Sequence, residues 1–282
     1  MAAKFAFNNT FKAEVNGYCE QLQRFGFLQK DGHELFCYGE PPDFVLRNQK
    51  FSRHMRFLSD PNDVSARGGG YWFFKALLLQ HHMDQSNDGD VVIWTDVDRI
   101  DFVQHNKSFH TILKALEERG DDMCIETMPI SWAREVWWTK EDILAAFNAS
   151  DVAKTNESES LRASSQQNAN ALVLRMSPRM KMFIDAWVEC NSDWHMISDE
   201  QSILPNSQVF IFNENRHDQS ILSMLIKRFM TRQDVIGPPA RPFYADGSGY
   251  HTYKLLDSVD PSCPFAAFYE LHERQNSSKK NA

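Results

Sequence analysis

The stretch DGDVVIWTDVD, residues 88–98, decides the fold expected for this chain. Asp88 and Gly89 predict a turn, and the apolar run that follows them predicts a buried central strand. Asp96 and Asp98 then leave the carboxyl end of that strand, which is the edge where open α/β sheets place their ligands. Residues i and i+2 of an extended chain point the same way, so the two carboxylates can converge on one divalent cation. A metal site is therefore the first expectation.

The remainder of the chain alternates strand and helix patterns, which predicts the α/β class. Besides the strand before Asp96, the patterns predict strands at residues 4–7, 34–38, 123–126, 169–174 and 208–212. They predict helices at residues 10–25, 42–47, 71–83, 109–119 and 220–229, one opened by a capping box at Thr139 and one capped by Ser177 and Pro178. Residues 1–274 are expected to form one domain, with a polar tail at 275–282. The polar residues 150–167 are interpreted as a loop near a binding site.

Composition and charge are those of a globular protein without a general affinity for nucleic acid. Of 282 residues, 42% are hydrophobic and 24% are charged, which are ordinary values for a folded domain. The formal net charge is −8, whereas a general nucleic-acid binder needs a surplus of Lys and Arg. An acidic protein that handles an anionic substrate must neutralise it locally, with a cation, a helix N-terminus or a few placed basic side chains.

The five cysteines are widely spaced, odd in number and without a Cys-x-x-Cys pair. This pattern predicts reduced thiols and a cytoplasmic protein. The residues after Met1 give no charged-then-apolar leader, and no apolar run is long enough to span a membrane. The Asn-x-Ser/Thr triplets, such as the one at Asn148, are accordingly interpreted as chance matches.

Four motifs together resemble those of small nucleotide-sugar glycosyltransferases from bacteria and large DNA viruses. They are RGGGYWFFK (residues 67–75), DGD with the strand into Asp96 and Asp98, WTK (138–140) and RHDQS (216–220). The resemblance runs from about Asn8 to Arg228 and implies the GT-A fold, in which a Rossmann-like mixed central sheet is flanked by helices. Many relatives carry Asp-Ala-Gly where this chain has Asp-Val-Asp, and the second carboxylate here strengthens the expectation of a metal.

The resemblance implies a metal-dependent glycosyltransferase that moves one sugar from a UDP-sugar donor to a glycan hydroxyl. A hexosyl- or a pentosyltransferase fits, and the viral relatives favour xylose. A divalent ion, Mn²⁺ or Mg²⁺, would offset the charge that develops on the departing diphosphate. Asp98 is expected to bind the ion directly, Asp96 to support the ribose and a water on the ion, and His251 to complete the ligands.

The same motifs supply the other expected site residues. Asn8, Arg67, Tyr71, Trp72, Lys75, His217 and Lys254 are expected to contact the donor or the acceptor, with Lys254 reaching a phosphate. Tyr71 and Lys75 are four residues apart and are expected to share a helix face.

Two stereochemical outcomes stay open for the catalytic residues. In an inverting enzyme, Asp218 would take the proton from the acceptor hydroxyl as general base. In a retaining enzyme, the same segment would hold the donor sugar, with Gln219 near its reacting face. Asp199, next to Glu200, is the reserve candidate for the base. A purely structural interpretation also exists, in which Asp218 is the N-cap of the helix that follows.

Two other functions compete with the transferase. A phosphohydrolase of the haloacid-dehalogenase type also begins from a strand ending in Asp-x-Asp, but Arg99 and Ile100 follow here and the acidic pair at Asp121 and Asp122 comes too soon. A non-catalytic carbohydrate-binding protein would use the seven tryptophans to stack on sugars. Slow metal-dependent release of UDP without an acceptor separates a transferase from a passive binder.

Overall fold

The sheet at the centre of the molecule has five strands in the order β1-β3-β2-β5-β4. The computed structural model describes residues 9–24, 34–58, 67–96, 106–148, 161–204, 212–235 and 249–280. The strands are β1 (Val91–Thr95), β2 (Met123–Thr127), β3 (Gln167–Arg175), β4 (Met230–Val235) and β5 (Gly249–Leu255). The strands expected at residues 4–7 and, for the most part, 208–212 lie outside the described residues.

All four pairings of these strands are antiparallel. One sheet flanked by helices confirms the predicted α/β class. The expected mixture of parallel and antiparallel strands is not found among the described strands. The strand that leads into Asp96 was expected at the centre of the sheet, and this is wrong for the described part of the chain, where β1 is the edge strand and pairs with β3. Its burial rises along the chain, from the exposed Val91 to the buried Trp94 and Thr95, because only its carboxyl end is covered by the helices around the site.

Helices cover both faces of this sheet. They are α1 (Asn9–Arg24), α2 (Asp43–Leu46), α3 (Phe74–Asp84), α4 (Asn106–Arg119), α5 (Glu135–Trp138), α6 (Glu141–Asn148), α7 (Pro178–Ser192), α8 (Trp194–Ile197), α9 (His217–Phe229) and α10 (Phe265–Lys280). Helices α3, α7 and α9 share the larger core cluster with Trp94, Leu172 and Ile125 of the sheet. Helices α1 and α4 meet the opposite face, where Leu22 and Ile112 pack with Val173. Because both faces are buried, residues 171–174 of β3 form a continuous apolar run rather than an alternating one.

Helix α7 follows the sequence prediction closely. The Ser177 hydroxyl accepts the Met180 backbone N–H over 3.1 Å, and Pro178 occupies the first turn. The apolar stripe of α7, which runs from Met180 to Val188, is buried in the larger core cluster. The cap satisfies one N–H that the helix leaves unpaired, and the stripe supplies the packing energy.

Several local predictions are corrected by competing contacts. Residues 34–38 form neither helix nor strand and join no strand pairing among the described residues. Thr139 does not cap α6, because its backbone N–H closes the end of α5 on the Glu135 carbonyl and its hydroxyl donates to the Glu135 carboxylate. The expected tail at 275–282 is helical through Lys280, as the end of α10.

The cysteines are not all reduced, which corrects the sequence expectation. One disulfide joins Cys19 of α1 to Cys37, and a second joins Cys190 of α7 to Cys263, while Cys124 is a buried free thiol. Disulfides persist mainly in oxidising compartments, so these pairs count against the cytoplasmic location, which stays a prediction. Within the described residues, every helix falls short of the length and apolar character required to cross a bilayer.

Candidate functional site

A buried carboxylate lies where β1 ends. The Asp96 backbone N–H donates to the Asn170 carbonyl of β3 over 2.7 Å, which fixes the residue at the edge of the sheet. Its carboxylate accepts the Trp94 indole N–H at 2.9 Å and the Lys75 ammonium at 3.1 Å. Asp96 is only 6% exposed, so these two donors replace much of the water that a carboxylate needs.

Lys75 joins two carboxylates that are far apart in the sequence. Its Nζ lies 3.1 Å from an oxygen of Asp96 and 3.8 Å from an oxygen of Asp218, and it also donates to the Ala169 carbonyl over 3.3 Å. All three charged side chains are buried. We call Lys75, Asp96 and Asp218 the charged triad. Each of its members comes from a different one of the motifs that the sequence singled out.

Asp218 is the member of the charged triad whose protonation is most altered. Burial raises the pKa of its carboxyl from an ordinary 3.8 to about 7; Lys75 opposes this rise and Asp96 adds to it. The Oδ2 atom of Asp218 is buried and has no hydrogen-bond partner, although the Lys75 ammonium lies within ion-pair distance. A carboxyl group that titrates near neutral pH at an acidic cluster suits proton transfer.

Two glutamines extend the charged triad into a buried hydrogen-bond network. The Gln219 amide donates to the Gln166 side-chain oxygen over 2.7 Å and accepts the Ala169 backbone N–H at 3.3 Å. Gln166 in turn donates to the hydroxyls of Thr139 and Ser220, each over 3.2 Å. The network fixes the orientation of Gln219. Gln166 was not found from the sequence, because it lies in the polar stretch interpreted as a loop.

The segment that carries Arg67 to Lys75 has a left-handed backbone. Five consecutive residues have positive φ: Gly68 (56°), Gly69 (64°), Gly70 (88°), Tyr71 (65°) and Trp72 (58°). Hydrogen bonds close this turn, from the Tyr71 N–H to the Arg67 carbonyl at 2.8 Å and from the Trp72 N–H to the Gly68 carbonyl at 3.1 Å. The predicted helix at 71–83 therefore begins only at Phe74, and Tyr71 and Lys75 do not share a helix face.

The three glycines make this turn possible, and the close approach of neighbouring atoms makes two of them hard to replace. The Trp72 ring covers Gly68, and a Cβ added to Gly70 would lie 2.4 Å from the His54 carbonyl oxygen. Tyr71 and Trp72 adopt the left-handed conformation at a cost of about 1–2 kcal/mol each. Strain of this kind persists only where the surrounding structure holds it, and it concentrates at functional sites.

We expect Gly70→Ala to destabilise the protein by roughly 3 kcal/mol or more, from the φ penalty and the clash together. Gly89→Ala is the matched control, since Gly89 also has a positive φ (94°) but nothing lies within 4 Å of its added Cβ. The control should lose only about 1–2 kcal/mol. Urea unfolding of both variants measures the difference, and equal losses would show that the contact with His54 is unimportant.

His217 is the third residue other than glycine with positive φ (54°) in the described part of the chain. Its ring centre lies 4.4 Å from that of Tyr71 and 5.8 Å from that of Trp72. Its Nδ1 lies 2.7 Å from the Ile197 carbonyl oxygen, and burial lowers its pKa to about 3, so the ring is neutral. Nδ1 is then the protonated donor to Ile197. The three strained residues thus pack on one another directly beside Asp218.

The outer side of the site is charged and exposed. Arg67 lies 3.6 Å from Asp199 and 3.0 Å from Glu214, and Asp199 lies 3.8 Å from the His217 Nε2. The reserve base Asp199 is therefore close to the predicted donor-binding residues but outside the charged triad. Arg216 is the N-cap of α9, which places Asp218 in the first turn and corrects the N-cap interpretation of Asp218.

Two predicted site residues lie away from the charged triad. His251 is buried on β5, in a row that runs across the sheet through Ile125 and Leu172 to Trp94. Three strand spacings separate the ends of this row, which is about 14 Å. Lys254 is exposed further along β5, where it pairs with Thr231 of β4. The structure therefore does not bring His251 or Lys254 to Asp96.

Asn8 and Asp98 lie outside the described residues. Among the residues that the structure describes, no group of three or more His, Cys, Asp and Glu side chains is arranged to hold a metal ion. Both oxygens of Asp96 accept hydrogen bonds from Trp94 and Lys75. Asp96 is thus better placed to support ligands than to bind an ion directly, and the direct ligand remains a prediction for Asp98.

Comparison with family models, with curated proteins and with solved structures gives no significant match.

Proposed function

We propose that this protein is a metal-dependent glycosyltransferase that moves a sugar from a UDP-sugar to a glycan hydroxyl. The convergence of the charged triad carries the proposal, because Lys75, Asp96 and Asp218 come from three separate motifs of the resemblance and meet in one buried cluster. Burying charges is costly, and packing alone does not require a lysine and two carboxylates to be buried together. The GT-A fold and xylose as the sugar belong to this proposal as its finer parts.

Each part of the site receives a role. Lys75 holds Asp96 and Asp218 in fixed positions, and Asp96 orients the ribose end of the donor. Gln219, held by Gln166 and the Ala169 backbone, faces the donor sugar. A divalent ion, when bound, offsets the negative charge of the leaving diphosphate, and Asp98 is the residue that we assign to it.

Asp218 is the residue that we place at the reacting centre. Its pKa of about 7 lets it hold or release a proton near neutral pH, which suits a base for the acceptor hydroxyl. The retaining alternative uses the same position, with Asp218 bound to a donor hydroxyl. Asp199 stays the reserve base, because it is exposed and lies across His217 from the triad.

A thermal-shift panel of nucleotide sugars, with and without Mn²⁺, tests the proposal. A ligand bound only by the folded state raises the melting temperature, by an amount equivalent to about 2.7 kcal/mol at a hundredfold excess over Kd. We expect a manganese-dependent shift with UDP-sugars, which Asp98→Ala abolishes. Asp260→Asn, at an exposed carboxylate, should keep it.

Release of UDP separates a transferase from a protein that only binds carbohydrate. The wild-type protein should release UDP slowly from its donor when Mn²⁺ is present and no acceptor is added. Binding of a sugar with no release from any common donor would favour the passive binder, and hydrolysis of generic phosphate esters would favour the phosphohydrolase.

A further inference from the structure

Two tryptophans and an arginine form a cluster beside Gln219. The Arg216 guanidinium carbon lies 4.2 Å from the centre of the Trp138 ring and 5.8 Å from that of Trp132. The Trp138 indole N–H donates to the Trp132 carbonyl over 2.7 Å, which ties the two residues together. We call Trp132, Trp138 and Arg216 the Trp–Arg cluster.

The cluster is fixed to the start of α9, where Gln219 and Asp218 are located. The Arg216 backbone N–H donates to the Trp138 carbonyl over 3.0 Å, and the Ser220 hydroxyl donates to the same oxygen over 2.7 Å. The Met128 sulfur lies 3.8 Å from the Arg216 Nη1 and 3.5 Å from the Gln219 Nε2. A single side chain therefore separates the guanidinium of the cluster from Gln219.

The charge of Arg216 is available to a ligand. No carboxylate in the described part of the chain forms an ion pair with it, and Glu214, two residues earlier, pairs instead with Arg67 at 3.0 Å. The guanidinium is half-buried against aromatic faces, which orient its plane, and no described carboxylate accepts a hydrogen bond from its N–H groups. A guanidinium is planar and presents paired N–H donors, and their spacing matches the two oxygens of a carboxylate.

Trp132 supplies an apolar surface next to this charge. It is 46% exposed, a large area for an aromatic side chain that has no role in the core. The C–H face of a sugar ring packs well on an exposed indole, since both surfaces are flat and apolar. An arginine beside such a ring adds selectivity for an acidic sugar, because hydrogen bonds from its guanidinium to a carboxylate are stronger than those to the hydroxyls of a neutral sugar.

Resting on the transferase function proposed above, we propose that the Trp–Arg cluster is the acceptor subsite and that it binds a sugar bearing a carboxylate. The sugar ring packs on Trp132, and its carboxylate accepts hydrogen bonds from the Arg216 guanidinium. A neighbouring hydroxyl is thereby directed towards Gln219 and Asp218. The other source of an anion at this position is the diphosphate of the donor, and the test distinguishes the two.

Saturation-transfer NMR titrations of the full chain with methyl β-D-glucuronide and methyl β-D-glucoside provide the test. They are run both with and without UDP and Mn²⁺. We expect the glucuronide to bind about tenfold more tightly than the glucoside, because charge-assisted hydrogen bonds add to the stacking that both sugars share. Equal affinities for the two glycosides would overturn the inference.

Three variants identify the side chains responsible for the preference for glucuronide over glucoside. Arg216→Gln should reduce glucuronide binding to the level of the glucoside and leave the glucoside unchanged, whereas Trp132→Ala should weaken both equally. Arg134→Gln is the matched control, since Arg134 lies 5.2 Å over the Trp137 ring on the same segment. It should keep the preference of the wild type, and loss of the preference in Arg134→Gln would place the anion elsewhere.

Titration with UDP and Mn²⁺ separates this inference from the proposed function. Arg216→Gln should leave the affinity for UDP with Mn²⁺ unchanged, and a loss confined to UDP would assign Arg216 to the diphosphate and overturn the acceptor role. If wild-type protein binds UDP but shows no glucuronide preference, only the acceptor inference fails. If it binds no nucleotide, the proposed function fails, whatever the glycosides do.

Discussion

Lys75→Met should lower the free energy of unfolding by about 3–5 kcal/mol at neutral pH, because it removes the cation from a buried ion cluster. Lys75 lies 3.1 Å from Asp96 and 3.8 Å from Asp218, and all three side chains are buried. Methionine matches the length of the stem, so the lost stability reflects mainly the charge. The two carboxylates left behind repel one another in a region from which water is excluded.

The loss should also depend on pH, with a sign that follows from Asp218. Its pKa is raised from 3.8 to about 7 by burial, so the folded state holds a proton that the unfolded state releases. The stabilisation from this proton is complete below about pH 4 and is lost as the pH rises to about 7. Without Lys75, the repulsion from Asp96 is less compensated and the pKa of Asp218 rises further, so the decline should extend to higher pH and the total loss should be larger.

Urea unfolding at pH 5 and pH 8 measures both effects. Lys50→Met is the control, since Lys50 pairs with Glu189 at 2.5 Å but both side chains are more than half exposed. An exposed pair contributes about 0–1 kcal/mol, and the control should lose no more. Adding Asp218→Asn to Lys75→Met should recover part of the stability. A loss below 1 kcal/mol in Lys75→Met would mean that the ammonium does not compensate these carboxylates.

Much of the candidate site could be predicted from the sequence because each motif keeps its residues close together. Lys75, Asp96 and Asp218 were all selected from short local patterns, and the structure brings them within ion-pair distance. Tyr71 and His217 likewise pack together, and Asp199 lies within ion-pair distance of both His217 and Arg67. Local spacing predicts which residue types are exposed at the end of a strand or at the start of a helix, so convergence follows once the elements pack.

What the sequence missed depends on contacts between distant residues. Gln166 has no local signal, since its partners Gln219 and Thr139 come from other segments. The order and direction of the strands are set by long-range pairing, which explains why β1 was wrongly expected at the centre of the sheet. The left-handed turn at Gly70 was missed for a different reason, because a helical spacing from Tyr71 onward does not reveal the hand of the backbone.

The disulfides show how one assumption affected several predictions. An odd number of widely spaced cysteines was interpreted as reduced thiols, and this supported both the cytoplasmic location and the dismissal of the Asn-x-Ser/Thr triplets. Cys19 and Cys190 have partners that no spacing rule identifies, since the closed loops span 18 and 73 residues. Such triplets are acceptors for glycosylation in a secreted protein, so the two disulfides remove the cysteine pattern as an argument for treating them as chance.

Asp218→Asn should lower the rate of sugar transfer by about 100- to 10,000-fold, the range over which a positioned general base contributes. Asparagine has the same shape and cannot accept the proton, and it removes a buried carboxyl that ionises near pH 7. The variant should therefore fold, and its stability should fall less between pH 4 and pH 7 than that of the wild type. Turnover at saturating donor, measured from pH 5 to pH 9, is the readout.

Asp199→Asn distinguishes the two candidate bases. Asp199 is exposed and lies 3.8 Å from the His217 Nε2, so its replacement should cost less than tenfold if Asp218 is the base. In that case wild-type turnover should rise with pH up to about 7, as Asp218 loses its proton, and the residual activity of Asp218→Asn should show no such rise. A small loss in Asp218→Asn with an unchanged pH profile would remove the base role and favour binding of the donor sugar instead. The inverse result, with the large loss in Asp199→Asn, would move the base to the outer side of the site, where Arg67 lies 3.6 Å from the Asp199 carboxylate and holds its position.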